Sequence, residues 1–174
     1  MTQVTMKGNP LSLKGSLPEV GEKLPDCELT SLDLKPVKLS SFTGKPLLIL
    51  SVPSLDTDVC SREAYRFNKE VDNLTGQIAS VCVSMDLPFA QKRWCAAEGV
   101  ENLVLLSDYK NRSFGDKFGV YIPDLGLLAR AVFLCDANQK IKSVHLVKEV
   151  SHEPDYQVIL KEIHDMISGK ASKI

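Results

Sequence analysis

No window of this sequence approaches the run of about 20 apolar residues that spans a bilayer. The stretch from Met1 to Lys14 is broken by Lys7, Gly8, Asn9 and Pro10, where a secretory signal would carry an apolar core. An excess of charge is also missing: 21 basic against 22 acidic residues leave a net charge of −1. That balance gives no reason to expect nucleic acid or an anionic membrane as partner. Histidine is scarce, and His145, His152 and His164 have no ligand spacing to any cysteine, which disfavours a metal centre. There is no Cys-x-x-Cys, so both the zinc-knuckle pattern and the dithiol oxidoreductase motif are absent. Repeats, low-complexity segments and interdomain linkers are lacking too. The remainder, 44% hydrophobic and 25% charged over 174 residues, reads as one globular domain spanning 1–174. A domain near this size buries about 70% of its unfolded surface. The expected setting is the cytoplasm, with no cofactor.

Five cysteines are present, at 27, 60, 82, 95 and 135. In a reducing compartment an odd number argues against a disulfide framework and for catalytic or redox roles. One stands out by its context. Pro53-Ser54-Leu55-Asp56-Thr57-Asp58-Val59-Cys60 follows the apolar run Leu47 to Val52 and precedes a helical pattern. Pro53 cannot continue a strand ladder and so starts a turn. Thr57 lies three residues before Cys60, the separation at which an N-cap hydroxyl reaches the N3 amide. Cys60 thus reaches the first turn of a helix, where free N–H groups and the helix dipole favour an anion. Thiols in such places ionise well below their ordinary value of about 8.5 and become nucleophilic. A lone cysteine would more often be a buried small hydrophobe; Pro-x-x-x-Thr-x-x-Cys changes that weight.

Periodicity orders the rest. Val4-Thr5-Met6 and Leu11-Ser12-Leu13 flank a turn at Gly8-Asn9-Pro10 and predict an N-terminal hairpin. A loop over Gly21 to Pro25 and a short strand at Val37-Lys38-Leu39 lead to a strand at 47–52. A helix over 58–74 buries Ala64, Phe67, Val71 and Leu74 as one stripe. A strand at Ile78 to Ser84, a helix at 89–97 after Pro88, and a strand at Leu103 to Leu106 come next. Asn111 to Phe118 predicts a short helix, and a loop with Pro123 and Gly126 follows. Strands at Arg130 to Leu134 and Ile141 to Val147 precede a last helix from Pro154, with Tyr156, Ile159, Leu160, Ile163 and Ile167 inward. Lys170 to Ile174 is expected to fray. This order is that of an α/β, thioredoxin-like sandwich, a mixed sheet flanked by helices, with Cys60 at the strand ends.

Cys95 lies in the short helix beside Trp94 and reads either as a core-facing thiol or as a redox partner. Arg130 alone would read as a strand-end surface charge, but between Ala129 and Ala131-Val132-Phe133 it calls for a specific partner. Cys82, inside an apolar strand, reads as buried and inert.

Over nearly its whole length the chain resembles the bacterial thiol peroxidases, the atypical two-cysteine branch of the peroxiredoxins. The resemblance runs through Pro53 to Cys60, Ser84-Met85-Asp86-Leu87-Pro88-Phe89-Ala90 into Arg93-Trp94-Cys95, Leu128 to Val132, and Glu153-Pro154-Asp155-Tyr156. It implies a thiol-dependent peroxidase in which Cys60 is the peroxidatic cysteine, resolved by Cys95 as an intramolecular disulfide. Pro53, Thr57 and Arg130 match the other active-site positions, and Trp94 stands where another aromatic is usual. Hydrogen peroxide and organic hydroperoxides as substrates, thioredoxin as reductant, and a homodimer are likewise what the resemblance implies. A redox sensor on the same fold stays open at this point. A cysteine hydrolase is disfavoured, because no histidine lies in a segment that approaches Cys60.

Overall fold

The computed structural model describes residues 2–74 and 76–169. The chain opens with the hairpin of β1 (Gln3–Met6) and β2 (Asn9–Ser12), then β3 (Glu28–Thr30), β4 (Pro36–Lys38) and a 3-10 turn at Leu39–Ser41. β5 (Leu47–Ser51), α1 (Asp58–Asp72), β6 (Ala79–Ser84), α2 (Pro88–Glu98) and β7 (Val104–Ser107) alternate through the middle. After α3 (Ser113–Lys117) come β8 (Tyr121–Ile122), β9 (Leu127–Leu128), β10 (Ala131–Cys135), β11 (Ile141–Leu146) and α4 (Tyr156–Ile167).

Seven strands form one sheet in the order β11-β10-β5-β6-β7-β3-β4. β5, β6 and β7 run parallel, joined by the crossover helices α1 and α2, while β10 is antiparallel to β5. The mixed sheet expected from the strand–helix order is therefore present. Its centre is covered on both faces, which is why β5 and β6 read as apolar runs rather than alternating strands. Successive side chains go to opposite cores. Leu47, Ile49, Val81, Val83 and Phe133 pack with Phe114 and Phe118 and with Val4 and Leu13 of the hairpin. Leu48, Leu50, Cys82, Val132 and Leu134 pack under α1, α2 and α4, against Phe67, Trp94 and Ile159.

Several boundaries move, each for a local reason. α4 starts at Tyr156, not Pro154, because the Asp155 carboxylate caps it by accepting from Val158 N at 3.3 Å. α3 is shorter than 111–118, since Arg112 at φ 52° is left-handed and cannot be helical. Leu39 leaves its strand for the 3-10 turn, and α1 ends at Asp72. β3 and the β8–β9 hairpin were not expected; strands of two or three residues carry too little alternation to show. Lys170 to Ile174 lie outside the described residues.

The register fixes where the site lies. Ala131 stands opposite Ser51, so Arg130 arrives beside Val52, where β5 hands over to the turn before α1. Leu146 stands opposite Ala131, and Val147 N donates to Arg130 O at 3.0 Å, which brings the segment after β11 to the same edge.

Candidate active site

Pro53 is buried directly after β5 and Thr57 is the N-cap of α1. Thr57 Oγ1 accepts from Cys60 N at 3.3 Å and donates to Ser54 O at 2.9 Å. Its hydroxyl proton is thus committed to Ser54 and the Cys60 amide to Thr57. An oxygen bound beside Cys60 would find the remaining lone pair of Thr57 rather than a free amide. Cys60 is the third residue of the helix and is 0% exposed, while Asp58 faces solvent.

The turn between Pro53 and Thr57 is held from the next strand. Asp86, just past β6, accepts from Ser54 Oγ at 2.7 Å, Leu55 N at 2.8 Å and Ser84 Oγ at 2.8 Å. Gln91 of α2 donates to Ser84 Oγ at 3.0 Å and to Leu106 O at 2.9 Å. Asp86 therefore stands between the loop that presents Cys60 and the helix that carries Cys95.

Arg130 is buried and points into the same region. Nη1 donates to Glu63 Oε2 at 2.7 Å, and the guanidinium lies near enough to the Cys60 side chain for their charges to interact. Burial alone would lower the Arg130 pKa; the charge of Glu63, aided by Cys60, more than offsets it and the net shift is upward. Glu63, one turn after Cys60, is 0% exposed. Burial pushes its carboxyl up to about 7, and Arg130 restrains a still larger rise. One cation thus serves two groups that can carry negative charge. Glu63 was missed in the sequence; its signal was a charged residue adjoining the buried stripe Ala64, Phe67 and Val71.

Cys95 is half-buried in α2, where burial raises its thiol pKa. All five cysteines are unbonded, and both helices are intact around Cys60 and Cys95. The helices meet next to the two sulfurs: Trp94 Nε1 donates to Ser61 Oγ at 2.9 Å. Cys82 lies on the same core face, its thiol held well above the ordinary value by burial. Cys27 and Cys135 belong to the other core, each pushed up to about 12 by burial. Among the described residues no group of His, Cys, Asp and Glu is gathered so as to hold a metal ion. Nor is any helix among them long and apolar enough to cross a membrane.

The five residues expected at the site divide accordingly. Pro53, Thr57, Cys60 and Arg130 lie together at the start of α1, and Cys95 lies on the neighbouring helix α2. This arrangement can stabilise a thiolate and the charge that develops when it attacks.

The Redoxin family model matches residues 19–160. A thiol peroxidase of Oceanobacillus iheyensis is 46% identical over 164 residues, covering 94% of this chain and 99% of that protein. A peroxiredoxin-like protein from Aquifex aeolicus superposes with a TM-score of 0.89 at 35% identity, over 95% of this chain and 98% of that one. A thiol peroxidase from Chromobacterium violaceum, at 24% identity, shares the fold with a TM-score of 0.85 over 94% and 95% of the two chains. The chain belongs to the redoxin family and, within it, to the thiol peroxidases, peroxiredoxin-type enzymes that reduce peroxides with a cysteine thiol.

Proposed function

We propose that Cys60 is the thiol that reduces the peroxide and Cys95 the thiol that resolves it, with Pro53, Thr57 and Arg130 completing the site. The Cys60 thiolate attacks the terminal oxygen of the hydroperoxide; the O–O bond breaks and the alkoxide or hydroxide leaves, taking a proton. Cys60 becomes a sulfenic acid. The observation that carries this reading is the buried Arg130 guanidinium, ion-paired with Glu63 one turn along α1 from Cys60 and close enough to act on the Cys60 side chain. Its charge stabilises both the thiolate and the negative charge passing to the leaving oxygen. Thr57 Oγ1 keeps a lone pair for the hydroperoxide O–H.

Cys95 then displaces water from the sulfenic acid and forms the disulfide. With Cys60 buried in an intact helix, the first turn of α1 and the Trp94–Ser61 contact must open first. A disulfide closing residues 60–95 stabilises the chain by roughly 4 kcal/mol if unstrained; strain lowers that figure and eases reduction. Thioredoxin is the proposed reductant, in keeping with a cycle that needs continual reduction; the cytoplasm is the proposed setting and a homodimer the proposed assembly. Leu87 and Phe89, exposed at the start of α2, are the apolar contacts offered to an organic hydroperoxide.

The test is peroxide consumption coupled to thioredoxin, thioredoxin reductase and NADPH. Wild type turns over and Cys60→Ser does not, because an alcohol is scarcely ionised at neutral pH. Turnover by Cys60→Ser would remove the assignment; a wild type that oxidises once without turnover would be a sensor instead.

A further inference from the structure

Glu63 is not the only group that holds Arg130. Nε and Nη2 of Arg130 both donate to the carbonyl oxygen of Val150, at 3.1 and 2.9 Å. A guanidinium carries five N–H donors in one plane, so a fork on one acceptor sets both its position and its tilt. Of the donors left over, one meets Glu63 at 2.7 Å, and the charge of the group acts on the neighbouring Cys60. Yet Val150 lies in neither a strand nor a helix. Something else must fix its carbonyl.

The N-terminal hairpin does so. Thr5 N donates to Lys148 O at 2.7 Å and Val150 N donates to Thr5 O at 2.8 Å, a parallel bridge between Thr5 and Glu149. The hairpin's own register leaves Thr5 free for this. A turn at Lys7 and Gly8, with φ of 51° and 82°, pairs Met6 with Asn9, Thr5 with Pro10 and Val4 with Leu11. Antiparallel pairs alternate between those that exchange hydrogen bonds and those whose groups point outward. Thr5 and Pro10 form an outward pair: Thr5 offers N–H and C=O to the 148–150 segment, and Pro10, with no N–H, blunts the opposite edge.

Glu149 ties the same parts together through its side chain. Oε1 accepts from Gly8 N at 2.9 Å and Thr5 Oγ1 at 3.1 Å; Oε2 accepts from Ser151 N at 3.0 Å and Ser151 Oγ at 2.7 Å. Backbone hydrogen bonds from Ser151 and Gly8 hold its carboxyl down to about 2, so it stays ionised across the working range. The hairpin is anchored elsewhere, through Val4 and Leu13, each 1% exposed in the core.

We propose that the N-terminal hairpin is a positioning element for the reaction: through Thr5 and Glu149 it fixes the Val150 carbonyl, and that carbonyl aims Arg130 at Cys60. This rests on Arg130 acting on Cys60 as proposed above. Glu149 is then a positioning residue that never approaches the sulfur.

The test uses the full-length reduced protein as Glu149→Ala, with Glu149→Gln as the conservative variant and Arg130→Met as control. Cys60 alkylation by iodoacetamide is followed against pH by mass spectrometry of its peptide, beside the second-order rate with hydrogen peroxide. Glu149→Ala should move the alkylation profile to higher pH and slow the peroxide reaction roughly tenfold, the scale of a small misplacement. Reduction of its disulfide by thioredoxin should be unchanged. Glu149→Gln, which keeps an acceptor oxygen without the charge, should fall between. A hairpin that only adds stability lowers the unfolding midpoint but leaves the profile and rate of the folded enzyme unmoved, and that result overturns the proposal. If Glu149→Ala does not fold, Glu149→Gln decides alone: an upward-shifted profile with faster Val150 amide exchange supports the proposal, and an unmoved profile overturns it. If Arg130→Met also leaves the profile unmoved, the assignment of Arg130 fails as well; if Arg130→Met moves it and the Glu149 variants do not, only the hairpin's role fails.

Discussion

The two cysteines sit on helices held in different ways. α1, with Cys60, has a side-chain N-cap and an apolar stripe of Ala64, Phe67 and Val71, and its entry loop is pinned by Asp86. α2, with Cys95, has no side-chain cap, and its buried residues are Pro88, Gln91 and Trp94. Two of those three are fixed by polar contacts, Gln91 to Ser84 and Leu106, Trp94 to Ser61. A hydrogen bond contributes about 1 kcal/mol net, whereas fully burying a large apolar side chain contributes about 1.5–3. α1 is thus capped and buries Phe67 and Val71 in its stripe, whereas α2 is uncapped and buries one large apolar side chain, Trp94. That division suits chemistry in which one sulfur must be aimed and the other must travel.

The largest effect should come from separating the two thiols. Cys95→Ser should consume one equivalent of peroxide per Cys60 and then stop as the sulfenic acid, losing thioredoxin-dependent turnover; a dimedone adduct on Cys60 would report it. Continued turnover in Cys95→Ser would mean that a group other than Cys95 resolves Cys60.

Next is Arg130→Met, which keeps length but removes charge and donors. The second-order rate with peroxide should fall at least about tenfold, roughly 1.4 kcal/mol, and the pH profile of Cys60 alkylation should move upward. An unmoved profile would place Arg130 outside the site.

The loop before Cys60 was legible because its signals are local: a proline ending a strand, a threonine three residues before the cysteine, then a helical stripe. Arg130 was legible from its apolar flanks. Glu63 was not, because its burial depends on a partner 67 residues away, and local periodicity sees only a charge at the margin of a stripe. Val150 acts through a carbonyl that every residue possesses, so its identity holds no signal. The Trp94–Ser61 bond joins positions 33 apart and depends on how two helices pack. Strand order was readable from alternation and turns, whereas short pieces such as Glu28–Thr30 are set by the neighbours they pair with.

A smaller effect concerns the Trp94–Ser61 contact of α2. Ser61→Ala removes the acceptor for Trp94 while keeping the fluorophore. In wild type, stoichiometric peroxide should change Trp94 fluorescence in a step independent of peroxide concentration, since condensation is intramolecular. Ser61→Ala should speed that step roughly fivefold, the equivalent of about 1 kcal/mol. An unchanged rate would mean that the Trp94 contact does not restrain opening.

The comparison is sharpened last by a pH dependence of stability from Glu63, one turn after Cys60 on α1. Its folded pKa of about 7 lies above the 4.5 of an ordinary glutamate, so the folded state binds a proton that the unfolded state releases. Its contribution to stability is therefore full below 4.5 and is lost as pH rises through about 7. Glu63→Gln cannot titrate. Denaturant unfolding across that window should show wild type losing stability relative to Glu63→Gln as pH rises; a constant difference would contradict the buried, raised carboxyl.

The roles given to Cys60 and Cys95 turn on which sulfurs join. The wild-type protein, treated with one equivalent of hydrogen peroxide, trapped with an alkylating agent and digested without reduction, should yield a single major disulfide-linked peptide pair, Cys60 with Cys95, with Cys27, Cys82 and Cys135 alkylated after unfolding. Cys60 bonded to Cys27, Cys82 or Cys135, or Cys95 recovered as a free thiol while Cys60 is oxidised and turnover persists, would contradict them.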